Sequence, residues 1–197
     1  MPAGDYERWR VFLAIEIPSA VREALIEPLN ALQMLREPLR ANPIDRIHLT
    51  LHFLGHLLRP MVEQIPTALA PVVSRHHRFA VMAQGVGAFP AIGRPHVLWA
   101  GIVGADLPKL KALQAELGDA LRIADVLVEA GLFRPHLTLG RVTRPPRAPV
   151  RTALRDWSAR WAEASFGDVP VNQVRLMHSQ LGGGPARYTT LATFDLQ

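Results

Sequence analysis

The sequence predicts an α+β fold built on antiparallel sheets, and three observations support this. Several strand-like apolar runs follow one another through short turns rich in glycine and proline. Segments of helical spacing lie among them without the regular strand–helix alternation of a doubly wound sheet. Neither a GxGxxG turn nor a Walker loop occurs, so nucleotide binding of those kinds has no support.

Taken in order, residues 10–17 (RVFLAIEI) form an apolar run broken only by Glu16, which reads as a buried strand. Pro18-Ser19 opens a helix with Ser19 as its N-cap. The helical pattern runs to about Arg36, with a break or restart near Pro28. A loop around Asn42-Pro43 leads to a second strand, residues 46–54, closed by Gly55. Residues 60–75 read as a helix despite Pro66 and Pro71. Residues 79–86 and 96–103 read as strands on either side of a turn-rich loop, residues 89–95 (FPAIGRP). Residues 107–123 carry apolar side chains at helical spacing, and residues 132–142 form another strand. The proline-rich stretch 143–149 is a loop, and 150–163 a helix. Residues 169–179 and 187–196 close the chain as strands joined by Gly182-Gly183-Gly184-Pro185. No helix clearly follows those glycines, so a hairpin loop suits them better than a phosphate cradle.

The chain has 197 residues, 49% apolar and 20% charged, which suits a folded domain with a sizeable core. That length fits one domain, or two small lobes packed as a unit. The absence of cysteine excludes disulfides, thiolate zinc sites and thiol nucleophiles. The N-terminal apolar run is short, carries Glu16 and lacks a small-residue cleavage site, so it does not read as a signal peptide. No stretch approaches the roughly 20 apolar residues of a membrane span. The expectation is a cytoplasmic protein. All but two of the 22 basic residues are arginine, lysine occurring only at Lys109 and Lys111, within a net charge of +5. The planar fork of arginine suits phosphate. Compositional bias, which also favours alanine and proline, explains the excess better, and no dense basic run points to nucleic acid.

The sharpest feature is a repeat. His48-Leu49-Thr50-Leu51 and His136-Leu137-Thr138-Leu139 are identical. With eight histidines and eight threonines in the chain, a His followed two places on by Thr should arise by chance about 0.3 times. In a strand, alternate residues share a face. The four leucines would then anchor the two strands in a core while His48, Thr50, His136 and Thr138 project from the opposite side. Two such strands side by side would form a pseudo-symmetric cleft, an imidazole on each flank and two hydroxyls beneath. A phosphate fits it. One imidazole can take a proton from water while the other gives one to the leaving oxygen. The hydroxyls can hold non-bridging oxygens. No metal or cofactor is required. A zinc site from His48, His52 and His56 would need a helix, whereas this segment reads as a strand.

At these residues the chain resembles the 2H phosphoesterase superfamily, and more closely the bacterial RNA 2′,3′-cyclic phosphodiesterases, or 2′-5′ RNA ligases. Residues 10–18 resemble the family's opening strand, HLTLHFLG (48–55) its first motif and FPAIGRPHVLWAG (89–101) its middle segment. FRPHLTLGR (133–141) resembles the second motif and residues 176–194 the C-terminal strand pair. Gly140 departs from the alanine common among relatives. The resemblance implies one bilobed domain over residues 1–197, with a pseudo-two-fold cleft between two antiparallel sheets and helices outside. It implies hydrolysis of a 2′,3′-cyclic phosphate end to a 2′-phosphate, with His48 as proton donor to the 3′ oxygen and His136 as the proton acceptor that activates water. Thr50 and Thr138 would bind the phosphate.

Arg134 and Arg141 flank the second motif and are further candidates for phosphate contact. Arg134 shares the strand face of His136, while Arg141 stands one residue out of phase. His52, Phe53 and Tyr188 are candidate cleft-lining residues, and Trp99 joins them as a ring on which a base could stack. The expected partner is RNA with a 2′,3′-cyclic phosphate terminus, such as a tRNA fragment, or a small cyclic nucleotide; no obligate protein partner is implied. The same site would support a 2′-5′ ligase joining cyclic ends to 5′-hydroxyls. A module that binds RNA ends without turnover is the non-catalytic alternative.

Overall fold

A computed structural model describes residues 7–35, 38–129, 131–180 and 187–197. The element order is β1 (Arg8–Glu16), α1 (Ser19–Ala24), α2 (Ile26–Met34), β2 (Leu39–Ala41), a 3-10 turn (Ile44–Arg46), β3 (His48–Leu58), α3 (Arg59–Val73), β4 (Phe79–Ala91), β5 (Arg94–Val103), α4 (Leu107–Ile123), β6 (His136–Val142), α5 (Ala148–Arg160), β7 (Ser165–Val171), β8 (Gln173–Gln180) and β9 (Arg187–Asp195). The expected Gly182–Gly184 hairpin loop and the helix end at Arg36 lie outside the described residues.

All strand pairs are antiparallel and form one hydrogen-bonded sheet, β7-β4-β5-β6-β3-β1-β8-β9, with β2 added along β6. The two expected sheets are therefore joined. The seam is narrow: β3 and β6 meet at one register position, Leu49 opposite Leu137. One face of the sheet carries the core. Val11, Leu13 and Ile15 of β1 pack there with Leu49, Leu137 and Leu139. The helices contribute Leu29 and Leu32, Ile65 and Leu69, Leu113 and Leu117, and Leu154. Trp157 of α5 also donates its indole N–H to the Pro28 carbonyl of α2 at 3.0 Å. With helices on one face, the other is left for side chains of a different kind. No described helix is long and apolar enough to cross a membrane.

Several boundaries differ from the sequence reading for physical reasons. Ser19 is the first helical residue of α1 rather than its cap; Pro18 holds the cap position without a side-chain bond. The break between α1 and α2 falls at Leu25, and Pro28 lies in the first turn of α2, where a missing N–H costs nothing. Gly55 does not end β3. It sits at φ +73 beside the unpaired Leu54, a bulge through which the strand continues. The expected loop 89–95 is mostly ladder: Phe89 pairs with Val97 and Ala91 with Arg94, leaving Ile92-Gly93 as the turn. Strand 132–142 begins only at His136, since Pro135 has no N–H to give a ladder. The single strand 169–179 is two, β7 and β8, which pair in different halves of the sheet on either side of Asn172. The in–out alternation slips by one residue at that crossing, the buried positions passing from Val169 and Val171 to Val174 and Leu176 across the outward Asn172 and Gln173.

Candidate active site

The two HLTL segments fold alike. Leu49 and Leu137 are fully buried and opposite one another, so their neighbours face away from the core on the same side. Antiparallel register from that pair sets His48 alongside Thr138 and Thr50 alongside His136. His48 and His136 are then diagonal neighbours across the seam, on the order of 7–8 Å apart at their Cβ atoms.

Each imidazole is fixed in the same way. His48 Nδ1 lies 2.8 Å from the Arg46 carbonyl, and His136 Nδ1 2.7 Å from the Arg134 carbonyl, both two residues earlier in the chain. A carbonyl only accepts, so Nδ1 carries the proton and Nε2 is left to give or take one. Burial lowers both histidines from their ordinary pKa of 6.5, partly opposed by these carbonyl bonds; the nearby Arg141 charge lowers His136 further. Rings also hold them. Phe12 stacks on His48 at 4.8 Å, with the Tyr188 ring edge-on at 5.5 Å, and Phe89 meets His136 edge-on at 5.0 Å.

The fourth residue of each motif is a bulge. Ala14 pairs with Thr50 and Leu13 with His52, leaving Leu51 unpaired. Trp99 pairs with Thr138 and Leu98 with Gly140, leaving Leu139 unpaired. The in–out alternation therefore flips after each motif. His52 turns toward the helices, 8% exposed, its Nε2–H donating to the Gln114 carbonyl of α4 at 2.7 Å. It closes the end of the cavity rather than extending the row of His48 and Thr50. Phe53 comes onto the cleft face in its place. On β6 the same flip brings Arg141 into phase with His136, against its sequence alternation. Gly140 lets β2 approach: a Cβ there would lie 2.9 Å from the Arg40 carbonyl.

An open cavity of about 720 Å³ gathers Thr50, Phe53, His52, Arg134 and His136 with Phe89, Gln114, Glu129 and Phe133. The Arg134 guanidinium lies 5.8 Å from the centre of the Phe89 ring. Arg141 is not in this cavity but in the groove that adjoins it. Tyr188 stands by His48 rather than by His136, and Trp99 borders a smaller cavity shared with Phe89, Arg134 and His136. His48, His52 and His56 do not converge as metal ligands: the bulge sends His52 away from His48, and His56 lies exposed beside Arg10. No group of three or more potential ligands is found among the described residues. Sequence reasoning missed Phe12, Phe89 and Gln114. Nothing local marks them; they reach the histidines only through strand pairing and the packing of α4.

An antiparallel sheet with helices on one face and two His-x-Thr strands meeting on the other defines the class of two-histidine phosphoesterase folds. The sequence profile of the 2′-5′ RNA ligase superfamily matches residues 17–183, and the chain belongs to that superfamily. It is 31% identical to an RNA 2′,3′-cyclic phosphodiesterase of Aeropyrum pernix, covering 78% of this chain and 84% of that one. It is 30% identical to one of Thermus thermophilus, covering 95% and 90%. Among solved structures, E. coli LigT complexed with 3′-AMP superposes with a TM-score of 0.74 over 96% of this chain and 99% of that one at 22% identity, a likeness of fold. TT0787 of Thermus thermophilus superposes at 0.73 with 26% identity, over 94% and 97%.

Proposed function

We propose that the protein hydrolyses 2′,3′-cyclic phosphate ends of RNA to 2′-phosphates by acid/base catalysis between His48 and His136. The observation that carries this reading is the matched anchoring of the two imidazoles, each Nδ1–H tied to the backbone carbonyl two residues earlier, which leaves each Nε2 for proton transfer. The names of the relatives supply the substrate class. The strand order outward from the seam, β6-β5-β4-β7 on one side and β3-β1-β8-β9 on the other, supports a pseudo-two-fold cleft within one bilobed domain.

The cyclic phosphate sits between the imidazoles. His136 Nε2 takes a proton from water as its oxygen bonds to phosphorus. The bond from phosphorus to O3′ breaks, and protonated His48 Nε2 gives its proton to the leaving oxygen. The product carries a 2′-phosphate and a 3′-hydroxyl. Thr50 and Thr138 hydroxyls hold the non-bridging oxygens, and Arg134, which lines the cavity with Thr50 and His136, offsets their charge. Proton transfer needs no metal in this scheme.

His48→Ala and His136→Ala should each lower kcat by at least about 100-fold on RNA ending in a cyclic phosphate. EDTA should leave the wild-type rate unchanged. Wild-type-like rates in both variants would overturn the mechanism. A dominant joined product in the presence of a 5′-hydroxyl oligonucleotide would make the enzyme a ligase instead.

A further inference from the structure

Beside the cavity, between the β4–β5 turn, the end of β6 and the start of α5, runs a second groove of about 840 Å³. It is lined by Arg94, Arg141, Arg144 and Arg151, and no carboxylate lines it. His96 and Val97 line both hollows, so the groove continues the cavity rather than standing apart from it. The bulge at Leu139 turns Arg141 onto the face of His136, about 13 Å further along the strand by the rise of the four β5 residues from Gly101 to Val97 that span them.

The charge arrangement is costly in the absence of an anion. Arg40 of β2 pairs directly with Arg141 of β6, so two like charges stand side by side on neighbouring strands. Such a pair is destabilising. Arg40, Arg94 and Arg141 take part in no ion pair among the described residues. A sheet that sets arginines opposite one another, with no acid between them among the described residues, is arranged for a ligand carrying several negative charges at intervals.

We propose that this groove binds the phosphodiester backbone of the RNA chain leading into its reacting end. The inference rests on the reading of the cavity as the cyclic-phosphate site. The reacting phosphate lies by His136, and the groove begins where the cavity ends, so preceding phosphates reach the arginines in turn. A cyclic mononucleotide fills the cavity alone and gains nothing from the groove. The groove is therefore what selects an RNA end over a free cyclic nucleotide.

Binding through phosphates displaces counterions, with a logarithmic salt slope of about −0.7 for each phosphate contacted on a single strand. Three contacts give a slope near −2, so affinity for RNA should fall about 20-fold between 50 and 200 mM salt. Two measurements test this. The first is fluorescence anisotropy of a labelled single-stranded RNA with a 3′-hydroxyl end, which reads binding without turnover. The wild type should show the steep slope, and Arg94→Glu combined with Arg144→Glu should weaken binding at least tenfold. The second compares KM for an oligonucleotide cyclic phosphate and for 2′,3′-cyclic AMP. The double variant should raise the first at least tenfold and leave the second unchanged. Unaltered RNA binding in the variant, or an equal rise in both KM values, would overturn the proposal. Retained, salt-sensitive RNA binding that the variant loses, with no turnover of either substrate by the wild type, would support the groove and overturn the phosphodiesterase reading alone.

Discussion

The pH dependence of kcat/KM follows from the surroundings of the two imidazoles. In the proposed mechanism the reactive free enzyme carries one proton on the pair, on His48 and not on His136, so the profile should be bell-shaped with limbs that belong to the pair. Burial holds both groups below 6.5, and the carbonyl bonds to Arg46 and Arg134 only partly offset it. Both limbs should therefore fall below about 6.5, the ordinary histidine value. Above both, the singly protonated form shrinks tenfold per pH unit, so kcat/KM should drop about 100-fold between pH 6.5 and 8.5. Bound phosphate adds a negative charge that favours imidazolium, so the kcat profile should lie at higher pH than that of kcat/KM. Arg141→Gln removes a positive charge that lowers His136, and should move one limb of the bell upward. The assay is hydrolysis of 2′,3′-cyclic AMP well below its KM, at constant ionic strength from pH 5 to 9. A flat profile, or a bell centred above pH 7, would refute the pairing.

Three further outcomes follow from the same structure. His48, His52 and His136 are all lowered by burial, so below pH 6.5 the unfolded chain binds more protons than the folded one. Stability should fall as pH drops through that window, and a urea midpoint at pH 5.5 equal to or above that at pH 7.5 would contradict this. Leu49→Ala and Leu137→Ala each hollow a fully buried position at the seam and should cost about 2–5 kcal/mol. Because the two side chains stand opposite one another, the double variant should cost measurably more or less than their sum in urea unfolding. Gly87→Ala would place a methyl group 2.4 Å from the Trp99 ring, forcing it to move. Overpacking of that kind costs about 1–3 kcal/mol, and a near-ultraviolet spectrum identical to wild type would show that the ring had not shifted.

The elements legible in the sequence were those whose pattern is local. The helix over Leu107–Ile123 was marked by its apolar spacing at both ends. The HLTL pair announced two strands with leucines inward, and Leu49, Leu137 and Leu139 are fully buried. What stayed hidden depends on partners distant in the chain. Strand β2 is three residues long, held by pairing with β6 and by Asn42, whose side-chain amide donates to the Thr138 carbonyl at 2.8 Å. Neither has a signature in residues 39–42. The joining of the sheet at Leu49 and Leu137 is likewise a matter of register between strands far apart in sequence.

The hidden bulges also explain how one repeated motif can serve a substrate with two unlike ends. A strict alternation would continue each strand as His, Thr and then the residue four places after the histidine: His52 in one copy, Gly140 in the other. The unpaired Leu51 and Leu139 shift that choice by one residue, to Phe53 and Arg141. The repeat gives both strands the same histidine, the same hydroxyl and the same turn of the backbone. The fifth position then gives one strand an aromatic ring and the other a guanidinium. A symmetric pair of proton carriers is what in-line displacement at phosphorus requires, since one oxygen enters as another leaves. The nucleotide itself is asymmetric, apolar at its base and charged along its backbone. If His48 and His136 act as proposed, the bulges would let that symmetric pair sit in a cleft that receives an RNA end in only one direction. Exchanging Phe53 and Arg141 should therefore weaken productive binding of RNA, seen as a raised KM, more than it slows kcat on 2′,3′-cyclic AMP. Equal effects on both would show that the fifth position has no part in orienting the chain.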